Sequence, residues 1–338
     1  MPEPGEPPIG GERVNPVLAH VIRSGFTESV HRGSLVVLGQ DGEPAVAAGA
    51  PELPVFPRSS NKPMQAAGML RCGLDLGGSL LALAAASHSG EDFHIDGVRQ
   101  ILAGAGLTED DLQCPPDLPL DERARTALLR GGAGPDRVHM NCSGKHAGML
   151  AACVAAGWPT ATYRDPGHPL QREITNTAQR LAGEDVAAIG VDGCGAPLLA
   201  LSLTGLARAF RAVVLAEEGS PERRVADAMR AYPLWMSGTG RSDAVAMQAV
   251  PGLLMKGGAE GVCAFALPDG RAGAVKIDDG AGRSVPPVVA AMLLALLAEA
   301  GPEADTAALT GLAITPVLGA GVPVGEIRAV LPGKLAGR

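Results

Sequence analysis

Hydrophobic and polar positions alternate with a period of two at the start of this chain. They take helical spacing through the middle and return to alternation near the end. Alternation divides a strand into two faces, whereas spacings of three and four line one face of a helix. Strands are therefore predicted over 17–25 and 34–39, with Asp41-Gly42 as the hairpin turn into 45–48. Helices are predicted over 65–72, 80–86, 93–103, 147–156, 170–182, 198–210 and 223–232. Gly73 and Gly157 are placed to stop two of them. Pro197 suits the first turn of the helix over 198–210. Thr108, followed three residues later by Asp111, has the form of a capping box, and 115–119 reads as a connector. Further on, 261–267 and 272–277 form a hairpin around the turn 268–270, 285–300 is an apolar helix, and 325–330 is a last strand.

Strands at both ends with helices between them predict the α/β class of the α+β kind. A single antiparallel sheet is built from N- and C-terminal strands, with a helical subdomain inserted at about 64–235. Residues 1–14 are a Pro/Gly-rich segment expected to be a disordered tail, and 15–338 a single catalytic domain. The cleft between sheet and helices is the natural place for a site.

Composition narrows the function. Hydrophobic residues make up 46% and charged residues 19%, which is globular. Aromatics are 3%, so the core must be mostly Ala, Leu and Val. A net charge of −8 argues against nucleic acid as a partner. No apolar run reaches the roughly 20 residues that would span a membrane. No basic-then-apolar leader is seen, and a cytoplasmic protein is expected. Six cysteines would then be reduced. Cys72, Cys153 and Cys263 lie in apolar runs and read as buried hydrophobes, whereas Cys142 and Cys194 lie in Gly-rich polar settings suited to chemistry.

Three constellations carry candidate chemistry. Ser59-x-x-Lys62 puts a hydroxyl and an amine one turn apart, and a lysine made neutral by burial could take the serine proton. The plain alternative is a helix cap followed by a solvated lysine. Lys256-Gly257-Gly258-Ala259 leads into the C-terminal hairpin. Its glycines would let a substrate reach the backbone, and the Ala259 and Ser59 N–H groups could form an oxyanion hole. Cys142-x-x-Lys145 with Cys194 offers two thiols and an amine for Zn²⁺, with His146 and Asp192 close enough to support it. A reactive thiol pair, or two cysteines that never meet, would fit the same spacing. If Ser143 caps the helix that follows, Cys142 and Lys145 share its end. The segment 237–243 lacks the lysine of a phosphate loop and is not read as a nucleotide site. Among seven histidines there is no HExxH pair, and there is no Gly-x-Ser-x-Gly elbow.

Taken together, five segments resemble the rhizobial-type (class 3, thermolabile) L-asparaginase family, which is related in fold to serine β-lactamases and glutaminases. They are Pro57-Arg58-Ser59-x-x-Lys62-Pro63-x-Gln65, Ser87-His88-Ser89-Gly90-Glu91, Asn141-Cys142-Ser143-Gly144-Lys145-His146, Asp192-Gly193-Cys194-Gly195 and Lys256-Gly257-Gly258-Ala259-Glu260-Gly261-Val262. The resemblance runs over about 16–330. It implies hydrolysis of L-asparagine to L-aspartate and ammonia by a homodimer. It implies Ser59 as nucleophile with Lys62 as its base, and Ser87 with Lys256 as a second Ser–Lys pair, Ser89 being the other possible partner. It also implies Cys142, Lys145 and Cys194 as zinc ligands that aid substrate orientation, with Arg58 and Asp192 holding the charged ends of a small amino acid. A glutaminase or a penicillin-recognising acylase on the same scaffold is the competing enzyme reading. A zinc- or redox-responsive binding protein is the non-enzymatic one.

Overall fold

Strand β1 (Val17–Arg23) turns through Ser24 and Gly25 into β2 (Phe26–Leu38). Both turn residues have positive φ, 50° and 81°, the primed-turn sense that matches strand twist. The computed structural model describes residues 14–298 and 305–335, so the tail expected over 1–14 lies outside them apart from the exposed Val14. β2 starts earlier than the strand predicted at 34–39. Its first half, exposed and mostly polar, shows no alternation to betray it, while Ser34–Leu38 is buried. β3 (Pro44–Ala48) completes the meander.

Ten helices follow before the sheet resumes: α1 (Lys62–Arg71), α2 (Gly78–Ala84), α3 (Asp92–Gly104), α4 (Glu122–Arg130), α5 (Ser143–Ala156), α6 (Pro169–Ala182), α7 (Leu203–Leu215), α8 (Pro221–Ala231), α9 (Pro233–Met236) and α10 (Ser242–Ala249). A two-stranded hairpin, β4 (Ala188–Val191) with β5 (Pro197–Ala200), stands between α6 and α7. Here the structure corrects the helix expected over 198–210. The run Leu198–Leu199 pairs with Gly190 and Ile189 as a strand, and α7 starts only after Ser202, whose hydroxyl accepts the Gly205 N–H at 2.8 Å. A short apolar run cannot choose between periods, and the cross-strand partner decided it.

The chain then returns to the sheet through β6 (Leu254–Gly258), β7 (Val262–Ala266) and β8 (Ala272–Ile277), crosses α11 (Val285–Leu297) and α12 (Thr306–Leu312), and ends on β9 (Ile314–Gly319) and β10 (Val322–Ala329). Residues 299 and 300 of the helix expected over 285–300 are outside the described part. The strand order is β6-β7-β8-β2-β1-β10-β9 with β3 also on β2, and every pair is antiparallel. This is the mixed α/β arrangement expected, one sheet drawn from both ends of the chain. Lys256 lies on β6, a strand of its own rather than the start of β7.

Helix α1 is the hub of the helical layer. Nine of its ten residues, Lys62 through Leu70, are buried. Gly68 lets it touch α6, since a Cβ there would sit 2.9 Å from the Ile174 Cα. Glu222 at the start of α8 accepts from Arg71 of α1 at 2.8 Å and from Arg180 of α6 at 2.6 Å. Among the described residues no helix is long and apolar enough to cross a membrane.

Candidate active site

Ser59 sits in a 3-10 turn, Arg58–Asn61, that runs directly into α1. Pro63 falls in the first turn of α1, where a missing N–H costs nothing, so it starts the helix instead of breaking it. The end of β6 packs against this turn. A Cβ on Gly258 would lie 2.6 Å from the Pro57 carbonyl oxygen and 3.1 Å from the amide nitrogens of Ser59 and Ser60. The Ser60 hydroxyl donates to the Lys256 carbonyl at 2.8 Å and pins the two segments together. Among the described residues, turn and loop hydrogen bonds claim neither the Ser59 nor the Ala259 N–H.

Backbone strain gathers at the same place. Four described non-glycine residues have positive φ, and two of them, Arg58 (50°) and Glu260 (61°), flank Ser59 and Ala259. Their side chains approach to 3.9 Å. The Arg58 guanidinium also donates to the Asp192 carboxylate at 2.8 Å, which brings the two expected substrate-binding residues together.

Lys62 is fully buried, and its ammonium must find an acceptor for each proton. It donates to the Ala86 carbonyl, to Ser87 Oγ at 2.9 Å and to Cys142 Sγ at 3.0 Å. Burial pushes its pKa below 10.5, while the thiols oppose that shift. Ser59 is not among its hydrogen-bond partners, and Ser87 is. Among the described residues, Ser87 and Lys256, expected to act as a pair, share no hydrogen bond. Lys256 donates to the Gly257 carbonyl at 3.0 Å and lies 3.5 Å from the Asp243 carboxylate. Ser89, the other candidate, is turned away, its hydroxyl donating to the Ser237 carbonyl at 3.0 Å. Asn61, between Ser59 and Lys62, is buried with both polar side-chain atoms unpartnered, in the position of a group that meets water or a substrate.

Cys142, Lys145 and Cys194, the set the resemblance implied, come together, and Asp192 lies with them. Cys142 stands at the N-cap of α5 and Ser143 is its first residue, so the cap expected from Ser143 is corrected. The Ser143 hydroxyl instead donates to the Val138 carbonyl at 2.7 Å and accepts from His88 Nε2 at 2.8 Å. Lys145 Nζ donates to Cys194 Sγ at 3.1 Å. The Cys142 and Cys194 sulfurs and an Asp192 carboxylate oxygen all lie within 4.8 Å of one another. A hydrogen bond from Cys142 holds the Cys194 thiol down near 5, helped by Lys145 and opposed by burial. The same hydrogen bond and burial push Cys142 up to about 12. Burial works against the Lys145 charge, but the two sulfurs outweigh it and raise its pKa. Burial would raise Asp192, but Lys145 and Arg58 hold it below 3.8. Two thiols and a carboxylate in this array are a donor set that suits Zn²⁺, and Lys145 could join it only by giving up a proton. His146 does not join it. Its Nδ1 lies 2.6 Å from the Tyr163 hydroxyl, and burial drives its pKa to about 3.

Sequence reasoning missed Asp243 and Ser60, because neither stands at a motif spacing from Lys256. It placed Asp192 beside the thiols without counting it as a ligand.

A family model described as L-asparaginase II matches residues 19–329. No curated protein matches the sequence. Among the solved structures similar over much of the chain at low identity are two hydrolases. A β-lactamase from Mycobacterium bovis is 12% identical, covering 74% of this chain and 88% of that one with a TM-score of 0.42. EstCE1, a hydrolase with promiscuous acyltransferase activity, is 13% identical, covering 77% and 88% with a TM-score of 0.32.

Proposed function

The chain belongs to the L-asparaginase II family, and from that premise we propose that it hydrolyses L-asparagine to L-aspartate and ammonia by acyl transfer through Ser59. The observation that carries this reading is the close approach of Gly258 to the Ser59 turn. It supports a pairing of the Ser59 and Ala259 N–H groups beside Ser59, a residue that is itself partly exposed. In the proposed reaction Ser59 Oγ attacks the side-chain amide carbon, and the two N–H groups receive the oxyanion. Lys62, whose charge burial disfavours, takes the serine proton in its neutral form by way of Ser87 and returns it to the departing ammonia. Water then cleaves the acyl-enzyme ester by the reverse proton path. Arg58 and Asp192 engage the charged ends of the substrate.

Cys142, Lys145 and Cys194 would hold zinc, with Asp192 within reach of the same ion. When bound there, zinc would supply positive charge for orienting the substrate. The family likeness also suggests a homodimer. Phe26 at the start of β2, Leu318 on β9 and Val322 on β10, 74%, 53% and 58% exposed, offer a second copy apolar contacts.

The test is ammonia release from L-asparagine and L-glutamine, beside ring opening of a β-lactam panel followed by ultraviolet absorbance. L-Asparagine is expected to be the preferred substrate. Ser59→Ala should lower the rate by roughly 10⁴–10⁶. As a mere cap, Ser59 would cost only about 1 kcal/mol of stability and leave activity intact. Preference for glutamine would move the reading to a glutaminase, and hydrolysis of the lactam alone to an acylase.

A further inference from the structure

The loop between α9 and α10, left without a role by its sequence, connects the surroundings of the two buried lysines. Its near end lies along the segment 87–91. The Met236 carbonyl accepts the Ser87 N–H at 3.2 Å, and the Ser237 carbonyl accepts from Ser89 Oγ at 3.0 Å. Thr239 donates its N–H and its hydroxyl to Glu91 at 2.8 and 2.7 Å. Gly238 permits this approach, because a Cβ there would sit 1.7 Å from Ser89 Oγ and its φ is +147°.

The far end of the loop delivers Asp243 to Lys256. One carboxylate oxygen of Asp243 accepts from the Ser237 hydroxyl and from the Ala244 N–H at 3.1 Å. The other oxygen has no hydrogen bond and lies 3.5 Å from Lys256 Nζ. Arg241 Nε donates to Ser237 Oγ at 3.0 Å, which leaves the serine proton to Asp243. Asp243 and Lys256 are 3% and 0% exposed.

We propose that Asp243, aligned by Ser237, is the positioning residue that keeps Lys256 an oriented cation beside the Ser59 turn. A buried ammonium without a counter-charge gives up its proton. The charged and titratable groups facing Lys256 are Asp243 of α10, Arg241 before it, Lys62 of α1 and Cys263 of β7. Burial and the two cations disfavour its charge, and Asp243 is the carboxylate among these groups that restores it. Lys256 therefore titrates at about 8, low for a lysine but charged at neutral pH. Its carbonyl is held by Ser60, one residue from the proposed nucleophile, so its position and that of Ser59 are coupled. The kinetic part of this inference rests on Ser59 being the nucleophile, and the titration part does not.

The test uses the full chain with Asp243→Asn and Ser237→Ala, their folding checked by near-ultraviolet circular dichroism. The Lys256 side-chain ¹³Cε signal, assigned by its loss in Lys256→Arg, is followed against pH. Asp243→Asn should lower its midpoint by at least about one pH unit, and Ser237→Ala by less. The alkaline limb of kcat for L-asparagine should move down by the same amount while KM changes little. If Asp243→Asn does not fold, Ser237→Ala decides by the same two readings. An unmoved Lys256 midpoint in a folded variant overturns the proposal, as does a moved midpoint with an unmoved kcat profile. Wild-type protein that releases no ammonia from any amide would refute the nucleophile reading, while the titration would still decide whether Asp243 holds Lys256.

Discussion

Single residues divide by whether they meet across the helical layer. Lys62 binds the hydroxyl of Ser87, and Lys256 faces Asp243, so the coupling energies should follow those contacts. Groups that share one proton path are non-additive, whereas separate groups multiply. In a double-mutant cycle on kcat/KM, Lys62→Ala with Ser87→Ala should cost little more than the worse single change. Ser87→Ala with Lys256→Ala should approach the product of the two. The opposite pattern would restore the pairing of Ser87 with Lys256.

At the scale of elements, the site depends on two close packings. The first is β6 on the Ser59 turn, where Gly258 leaves no space for a side chain. Gly258→Ala would have to push backbone from backbone, and a displacement near 1 Å at a reacting group costs roughly 10² in rate. We expect kcat to fall by about that factor while circular dichroism stays native, and full activity would remove this contact from the mechanism. The second is the junction of α1, α6 and α8 at Glu222. Burial disfavours its charge, but Arg180 and Arg71 outweigh that and hold its pKa below 4.5. A carboxyl depressed in the folded state stabilises fully above its unfolded value and loses that contribution as the pH falls through its folded one. The protein should therefore lose thermal stability below about pH 4.5. Glu222→Gln should cost about 1–3 kcal/mol at pH 7, the low end applying because both arginines are partly exposed, and should flatten that acid limb. A midpoint that falls equally steeply in both proteins would place the acid sensitivity elsewhere.

On the scale of the whole molecule, the helical layer brings Cys142, Lys145, Asp192 and Cys194 together from α5 and from the turn between β4 and β5. That convergence is reason to expect one zinc per chain in protein purified without chelator, read by elemental analysis. Cys194→Ser should raise KM for L-asparagine more than it lowers the thermal midpoint. Chelated, metal-free protein with unchanged KM would separate the cluster from the reaction.

The one-dimensional pattern determined the class of fold and most of its elements, because strand and helix periods are local and the glycine stops at Gly73 and Gly157 are local too. It also determined which residue types could act, since Ser59, Lys62, Cys142, Lys145 and Lys256 stand in recognisable motifs. It misread 197–200, where a short apolar run is strand or helix according to the partner it meets. Only the tertiary structure decided which serine each buried lysine touches, that Asp243 stands against Lys256, and that Asp192 lies with the thiols. Those contacts join residues as far apart as Lys62, Ser87 and Cys142, or Arg58 and Asp192. No spacing rule encodes them. They follow from how α1 is enclosed, where a buried ammonium takes the acceptors that packing leaves within its reach.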